Sequence, residues 1–210
     1  MMRRTGALLF AMMVCGMPLP ALAQGDPTPE EIAALAALEA ELPGTLMNNP
    51  IAPGWATYGA EHSTKVLKVP ELPGGYAYEV RVKQANRNPW DISVTAPLTA
   101  GVNAGDTVLV AFWVRALKPA EQTGTGDIQV RVQQIKEPYS GVAESPVSAG
   151  PDWQLHYVKG IASTTYAPGE INIAFNAGRY KQTLQFGQVY VMNLGPGVRL
   201  EDLPSAPESL

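Results

Sequence analysis

Residues 105–117, Gly-Asp-Thr-Val-Leu-Val-Ala-Phe-Trp-Val-Arg-Ala-Leu, alternate between two sets of side chains. Val108, Val110, Phe112, Val114 and Ala116 make one set. Thr107, Leu109, Ala111, Trp113 and Arg115 make the other. A period of two is that of a β-strand, and the wholly apolar set has to face a core. Comparable stretches recur at 63–69, 76–84, 90–96, 128–135, 153–162, 171–176 and 183–193. Turn-forming sequences separate them, among them Pro73-Gly74-Gly75, Asn86-Arg87-Asn88-Pro89, Asn103-Ala104-Gly105-Asp106, Gly124-Thr125-Gly126-Asp127 and Pro168-Gly169. Strands at this spacing, with no convincing helix among them, predict an all-β chain folded as a β-sandwich. Val110, Phe112, Val130, Leu155, Ile173 and Phe175 are expected between its sheets.

The second set on 105–117 raises a functional question. Trp113 and Arg115 sit on the face that should meet water. A flat ring there can stack on the apolar face of a sugar while the guanidinium donates to hydroxyls. Alternatively a loop or a second layer covers Trp113, and the ring is packing. The strand alone leaves both readings open.

The ends of the chain point to export. Arg3 and Arg4 precede an apolar run from Ala7 to Val14, and Ala21-Leu22-Ala23 supplies the small residues of a cleavage site, so residues 1–23 read as a signal peptide. The run is too short for a permanent membrane span. The mature chain is thus expected in the periplasm or outside the cell, with no membrane anchor. Cys15, the single cysteine, falls inside that leader, which leaves no thiol for a disulfide, a nucleophile or a metal site. Lysine and arginine number 15; without Arg3 and Arg4, 13 remain against 19 acidic residues, a net charge of −6. No run of basic residues appears along the chain, which excludes nucleic acid as an expected partner. About 187 residues suffice for one domain with a sizeable core.

Residues 24–50 form a leader to that domain. Thr28-Pro29-Glu30-Glu31 is a helix start, and Ile32, Leu35, Leu38 and Leu42 follow at helical spacing until Pro43-Gly44. This short N-terminal helix is expected to pack on the domain. Residues 197–210 form a proline-rich acidic tail, expected to lie loosely on the surface. The longest connection, 136–151, is expected as a functional loop and carries Tyr139.

Several stretches taken in order resemble the carbohydrate-binding modules of families four and nine, which are attached to bacterial glycoside hydrolases. They are Gly54-Trp55, 78–82 (YEVRV), 88–94 (NPWDISV), 105–116 (GDTVLVAFWVRA), 152–160 (DWQLHYVKG) and 182–195 (QTLQFGQVYVMNLG). The resemblance implies an antiparallel two-sheet jelly roll of the galactose-binding-like type over residues 51–196. It further implies a ligand on the concave outer face of one sheet or in the loops at one end. Two positions depart from the family pattern. Residues 47–53 hold no carboxylate before Trp55, and Gly187-Gln188 stands where an aspartate pair is common. No cofactor and no catalytic metal are expected, and only a weak case remains for the structural calcium of such modules, whose usual oxygen ligands are missing here.

The resemblance and the strand parity together nominate a site. Trp113 would be the stacking platform, with Arg115, Arg131 and Gln133 as polar contacts if their strands pair. Tyr139 and Gln182 would stand at the margin, and Trp90 at the loop end. The expected partner is a polysaccharide or oligosaccharide, bound without catalysis; the oligomeric state stays open. The alternatives are a structural or protein-interaction sandwich and a jelly-roll lyase. A lyase would need His156 and Tyr157 to converge with Arg131 and Gln133, and a carboxylate hydrolase would need two of Glu79, Glu137 and Glu144 to meet.

Overall fold

The computed structural model describes residues 29–210; the signal peptide expected at 1–23 lies outside the described residues. One helix, α1 (Pro29–Glu41), precedes twelve strands. They are β1 (Thr45–Leu46), β2 (Ala56–Tyr58), β3 (His62–Lys68), β4 (Tyr76–Val82), β5 (Ser93–Pro97) and β6 (Asp106–Lys118), then β7 (Gly126–Gln134), β8 (Gly141–Ala149), β9 (Gln154–Ile161), β10 (Ile171–Asn176), β11 (Gln182–Pro196) and β12 (Glu208–Ser209). All pairings between them are antiparallel. A seven-stranded sheet runs β12-β9-β6-β11-β4-β3, with β1 beside β11, and a five-stranded sheet runs β2-β5-β10-β7-β8. This is the jelly-roll sandwich that the alternation and the resemblance implied.

The apolar set of β6 fills the space between the sheets. Val108, Val110, Phe112, Val114 and Ala116 join Val80, Leu184 and Phe186 from their own sheet and Val130, Val132, Ile173 and Phe175 from the other. Phe175 lies 5.0 Å, centroid to centroid, from both Phe112 and Phe186. Trp55 closes the sandwich at 5.8 Å from Tyr78, ring stacked on ring. Each such side chain taken fully from water stabilises the fold by about 1.5–3 kcal/mol.

A second apolar cluster covers the outer face of the seven-stranded sheet. It contains Leu72, Ala77, Leu109, Ala111, Trp113, Trp153, Leu155, Tyr157, Tyr190 and Met192. Leu35 and Leu38 of α1 and Leu42 just after it pack against the cluster, as does Leu203 of the tail. The helix therefore packs on the domain. Leu155 belongs to this outer cluster and not to the inter-sheet core. The β6–β9 register explains the correction: it sets Leu155 opposite Trp113 and His156 opposite Phe112. Trp153, Leu155 and Tyr157 do share a face, but that face has its own cover. His156 points inward instead, its ring stacked 6.0 Å from that of Phe112.

Two other segments differ from expectation. Most of 136–151 is the edge strand β8, paired with β7. Pro146 within it hides the strand from a sequence reading, and an edge position is where a sheet tolerates a proline. The tail does not lie loose. Its β12 pairs with β9, the Tyr157 hydroxyl donates to Glu208 Oε1 at 2.8 Å, and Lys159 Nζ donates to the Leu203 carbonyl at 2.9 Å. No described helix is long and apolar enough to cross a membrane.

Candidate functional site

The expected groove required β6 and β7 to be neighbours. β6 instead pairs with β9 and β11 in one sheet, while β7 pairs with β8 and β10 in the other. Trp113 and Arg115 thus stand on the opposite side of the molecule from Arg131 and Gln133.

Trp113 is not a platform. It is 7% exposed, within the outer cluster. β11 contributes Gly187 beneath it, where an added Cβ would stand 2.8 Å from Trp113 Cβ and 3.1 Å from Leu72 Cδ1. The missing side chain is what lets the indole settle against the neighbouring strand. Arg115 is held by its own sheet. Its guanidinium carbon lies 4.6 Å over the Trp153 ring, and its Nε donates to Gln185 Oε1 at 2.7 Å. Gln185 Nε2 donates to Glu79 Oε2 at 2.6 Å, and Lys65 Nζ lies 3.1 Å from Glu79 Oε1. Gln182 is buried and fully used. Its Oε1 accepts from the Asp127 N–H at 2.9 Å, and its Nε2 donates to the Asp127 and Ala177 carbonyls at 2.8 Å each. An amide with every polar atom committed inside the protein has nothing left for a margin contact.

The outer face of the five-stranded sheet belongs to neither apolar cluster. Register arranges it in rows. One row is Pro97, Asn172, Gln133 and Gly141; the next is Ala56, Thr95, Ala174, Arg131 and Glu144; the third is Tyr58, Ser93, Asn176, Gln129 and Pro146. Thr95, Ala174 and Asn176 are buried and form a low floor. The longer, half-buried Gln129, Arg131 and Gln133 of β7 flank it on one side. Tyr58 stands on the other side, 63% exposed. Arg131 is braced: Nε donates to Glu144 Oε2 at 2.9 Å and Nη2 to the Tyr139 carbonyl at 3.1 Å. Its charge is matched, so this face is close to neutral. Gln133 Oε1 and Asn172 Oδ1, on residues paired across β7 and β10, are shielded and have no partner among the described residues.

Aromatic side chains mark the margins. Tyr139, 45% exposed, tops the β7–β8 turn, where its N–H donates to the Lys136 carbonyl at 2.8 Å. Trp90, 59% exposed, sits in the turn of Pro89–Asp91 that leads into β5. Asn88 and Asp91 cap that turn reciprocally. Sequence reasoning missed Tyr58, Asn172 and Asn176. The alternation of Asn172 and Asn176 with Ile171, Ile173 and Phe175 was the available signal for the two amides. Tyr58, on a three-residue strand, had none.

A separate open cleft lies where Trp55 and Tyr78 meet the register shift of β11 at Gly187 and Gln188. Pro50, Ile51, Pro53, Val66, Tyr76 and Gln188 also line it. Among the described residues the groupings that a lyase or a carboxylate hydrolase would need do not come together. His156 and Tyr157 point to opposite faces of β9, and burial holds the His156 pKa below its ordinary value. Glu79 and Glu144 belong to different sheets. Among the described residues no three His, Cys, Asp or Glu side chains come together as a metal site.

No family model matches the chain, and no curated protein does. Solved structures do. A CBM4 structure superposes with a TM-score of 0.50 at 19% identity, covering 68% of this chain and 96% of its own. The second N-terminal cellulose-binding domain of Cellulomonas fimi β-1,4-glucanase C gives 0.51 at 18% identity, covering 75% and 94%. The CBM22-1 xylan-binding domain from Paenibacillus barcinonensis gives 0.50 at 12%, covering 74% and 97%. The likeness extends over nearly the whole of each of those domains, and the fold of this chain is that of carbohydrate-binding modules.

Proposed function

We propose that the protein is an exported, non-catalytic sugar-binding domain that takes a neutral poly- or oligosaccharide on the outer face of its five-stranded sheet. The observation that carries this reading is the low floor of Thr95, Ala174 and Asn176 between β7 and Tyr58. A floor of short side chains between taller walls accepts a chain of pyranose rings lying across the strands. Gln129 brings an amide that both donates and accepts, and Gln133 and Asn172, whose amide oxygens are shielded, offer their amide N–H groups, which suits vicinal hydroxyls. Tyr58, Tyr139 and Trp90 offer rings for the apolar faces of sugars. Arg131, braced by Glu144, contributes a fixed donor. The solved structures of like fold include cellulose- and xylan-binding domains, which favours a β-linked glycan as the first ligand to try.

Affinity electrophoresis through gels containing soluble polysaccharides tests the proposal. The wild-type protein is expected to be retarded by at least one neutral glycan. Tyr58→Ala combined with Gln133→Ala should weaken that retardation tenfold or more, equivalent to about 1.4 kcal/mol, with an unchanged melting temperature. Retardation that survives both substitutions moves the site off this face.

A further inference from the structure

Folding gathers positive charge that is dispersed in the sequence. On the outer face of the seven-stranded sheet register aligns Ser63, Arg81, Thr183 and Lys118 in one row and Lys65, Glu79, Gln185 and Arg115 in the next. In the second row Lys65 and Glu79 cancel. Gln185 fixes Arg115 through Nε, and Trp153 fixes the plane of the guanidinium. Both Nη groups of Arg115 are left without a hydrogen-bond partner among the described residues, as a preset fork for a carboxylate. In the first row Arg81 and Lys118 are exposed. Among the described residues no carboxylate pairs with either. Adjacent side chains across an antiparallel pair are about 5 Å apart, which puts Arg81 and Lys118 about 10 Å from each other, with Thr183 between them. Three unmatched cations around small hydroxyl residues, on a chain of net charge −4, form a surface complementary to a flexible polyanion that also carries hydroxyls.

We infer that this face is a second glycan site, specific for an acidic polysaccharide whose uronate carboxylates pair with Arg81, Arg115 and Lys118. The choice of a glycan over another polyanion rests on the function proposed above; the location does not. Ser63, exposed in the same row as Arg81, is a partner for sugar hydroxyls. The attraction is between exposed charges and falls with ionic strength over a screening length of about 8 Å in physiological salt.

The test is affinity electrophoresis in sodium polygalacturonate, with fully methyl-esterified polygalacturonate as the uncharged control. Retardation is expected in the acid form and absent in the ester, and it should weaken tenfold or more in Arg81→Gln/Lys118→Gln. Both residues are exposed, so the variant should melt as the wild type does. Tyr58→Ala/Gln133→Ala should retain polygalacturonate binding, while Arg81→Gln/Lys118→Gln should retain any neutral glycan. The two sites thereby fail separately. The inference is overturned by polygalacturonate retardation that the double glutamine variant leaves intact, by no retardation at all, by equal retardation in poly-L-glutamate, or by binding confined to phosphatidylserine vesicles.

Discussion

Trp113→Ala separates the two roles that the sequence allowed. Were the ring a platform, its loss would abolish binding and spare the fold. The structure predicts the reverse. Trp113 is 7% exposed, and burying about 200 Å² of tryptophan at about 25 cal/mol per Å² contributes about 5 kcal/mol. Two effects reduce the net loss. Alanine keeps the Cβ, and the Trp113 Nε1 is buried without a partner among the described residues, so its removal relieves a penalty of about 1–3 kcal/mol. The space cannot close by collapse, because Gly187 and the sheet backbone form its base. A net destabilisation of about 2–4 kcal/mol follows, reaching the lower part of the usual range for tryptophan-to-alanine changes in cores. For a domain of this size that lowers Tm by about 10 °C. Calorimetry and urea unfolding followed by far-ultraviolet circular dichroism read it without relying on tryptophan fluorescence. Trp113→Phe keeps a ring and drops the orphaned N–H, and should lie less than halfway to alanine. A Trp113→Ala protein within 1 kcal/mol of wild type that no longer binds any glycan would refute the burial argument.

Three other perturbations have defined outcomes. Burial keeps His156 neutral in the fold, so below the ordinary imidazole pKa the unfolded chain takes the proton first. Stability is complete above about pH 6.5 and declines beneath it by up to about 1.4 kcal/mol per pH unit, until the folded form also protonates. Urea midpoints of His156→Leu measured from pH 4.5 to 7.5 should fall less steeply than those of the wild type, and parallel curves would count against it. Gln182→Ala leaves the Asp127 N–H and the Asp127 and Ala177 carbonyls without their partner. Chemical denaturation should show a loss of about 2–3 kcal/mol, with glycan binding at low temperature unaltered. Gly160→Ala would place a Cβ 2.3 Å from the Val142 carbonyl oxygen and 2.7 Å from Ala143 Cα, where β9 of one sheet meets β8 of the other. Backbone cannot yield there as a side-chain end can, so soluble expression should collapse; a normal melt would show that the sheets can part.

How much of this was legible in the sequence depends on which distances an argument had to cross. Alternation along β6 and β10 identified the inward residues correctly, because parity is a local property. It did not say what lay beyond the outward ones. The outward face of β6 looks functional only if nothing covers it. What covers it is Leu35, Leu38 and Leu42, about seventy residues upstream, and Leu203, about ninety residues downstream. The same ignorance misplaced Leu155, whose neighbours Trp153 and Tyr157 are apolar enough for either side of a sheet that is covered on both. β8 was lost to its proline and β12 to its shortness.

The candidate sites show the same division in finer form. Arg131 and Gln133 were identified as outward by parity and remain so. The error was to join them to Trp113, which required a strand pairing that only the long-range order β9-β6-β11 and β10-β7-β8 decides. The cationic face makes the point from the other side. Lys65, Arg81, Arg115 and Lys118 never occur as a run, and a scan for basic clusters passes over them. Lys65 lies on β3, Arg81 on β4, and Arg115 and Lys118 on β6; the register that brings them together is set by the apolar residues between them: Val80, Val82, Val114, Ala116, Leu184 and Phe186. The core side chains between the strands therefore determine which charges meet on the surface.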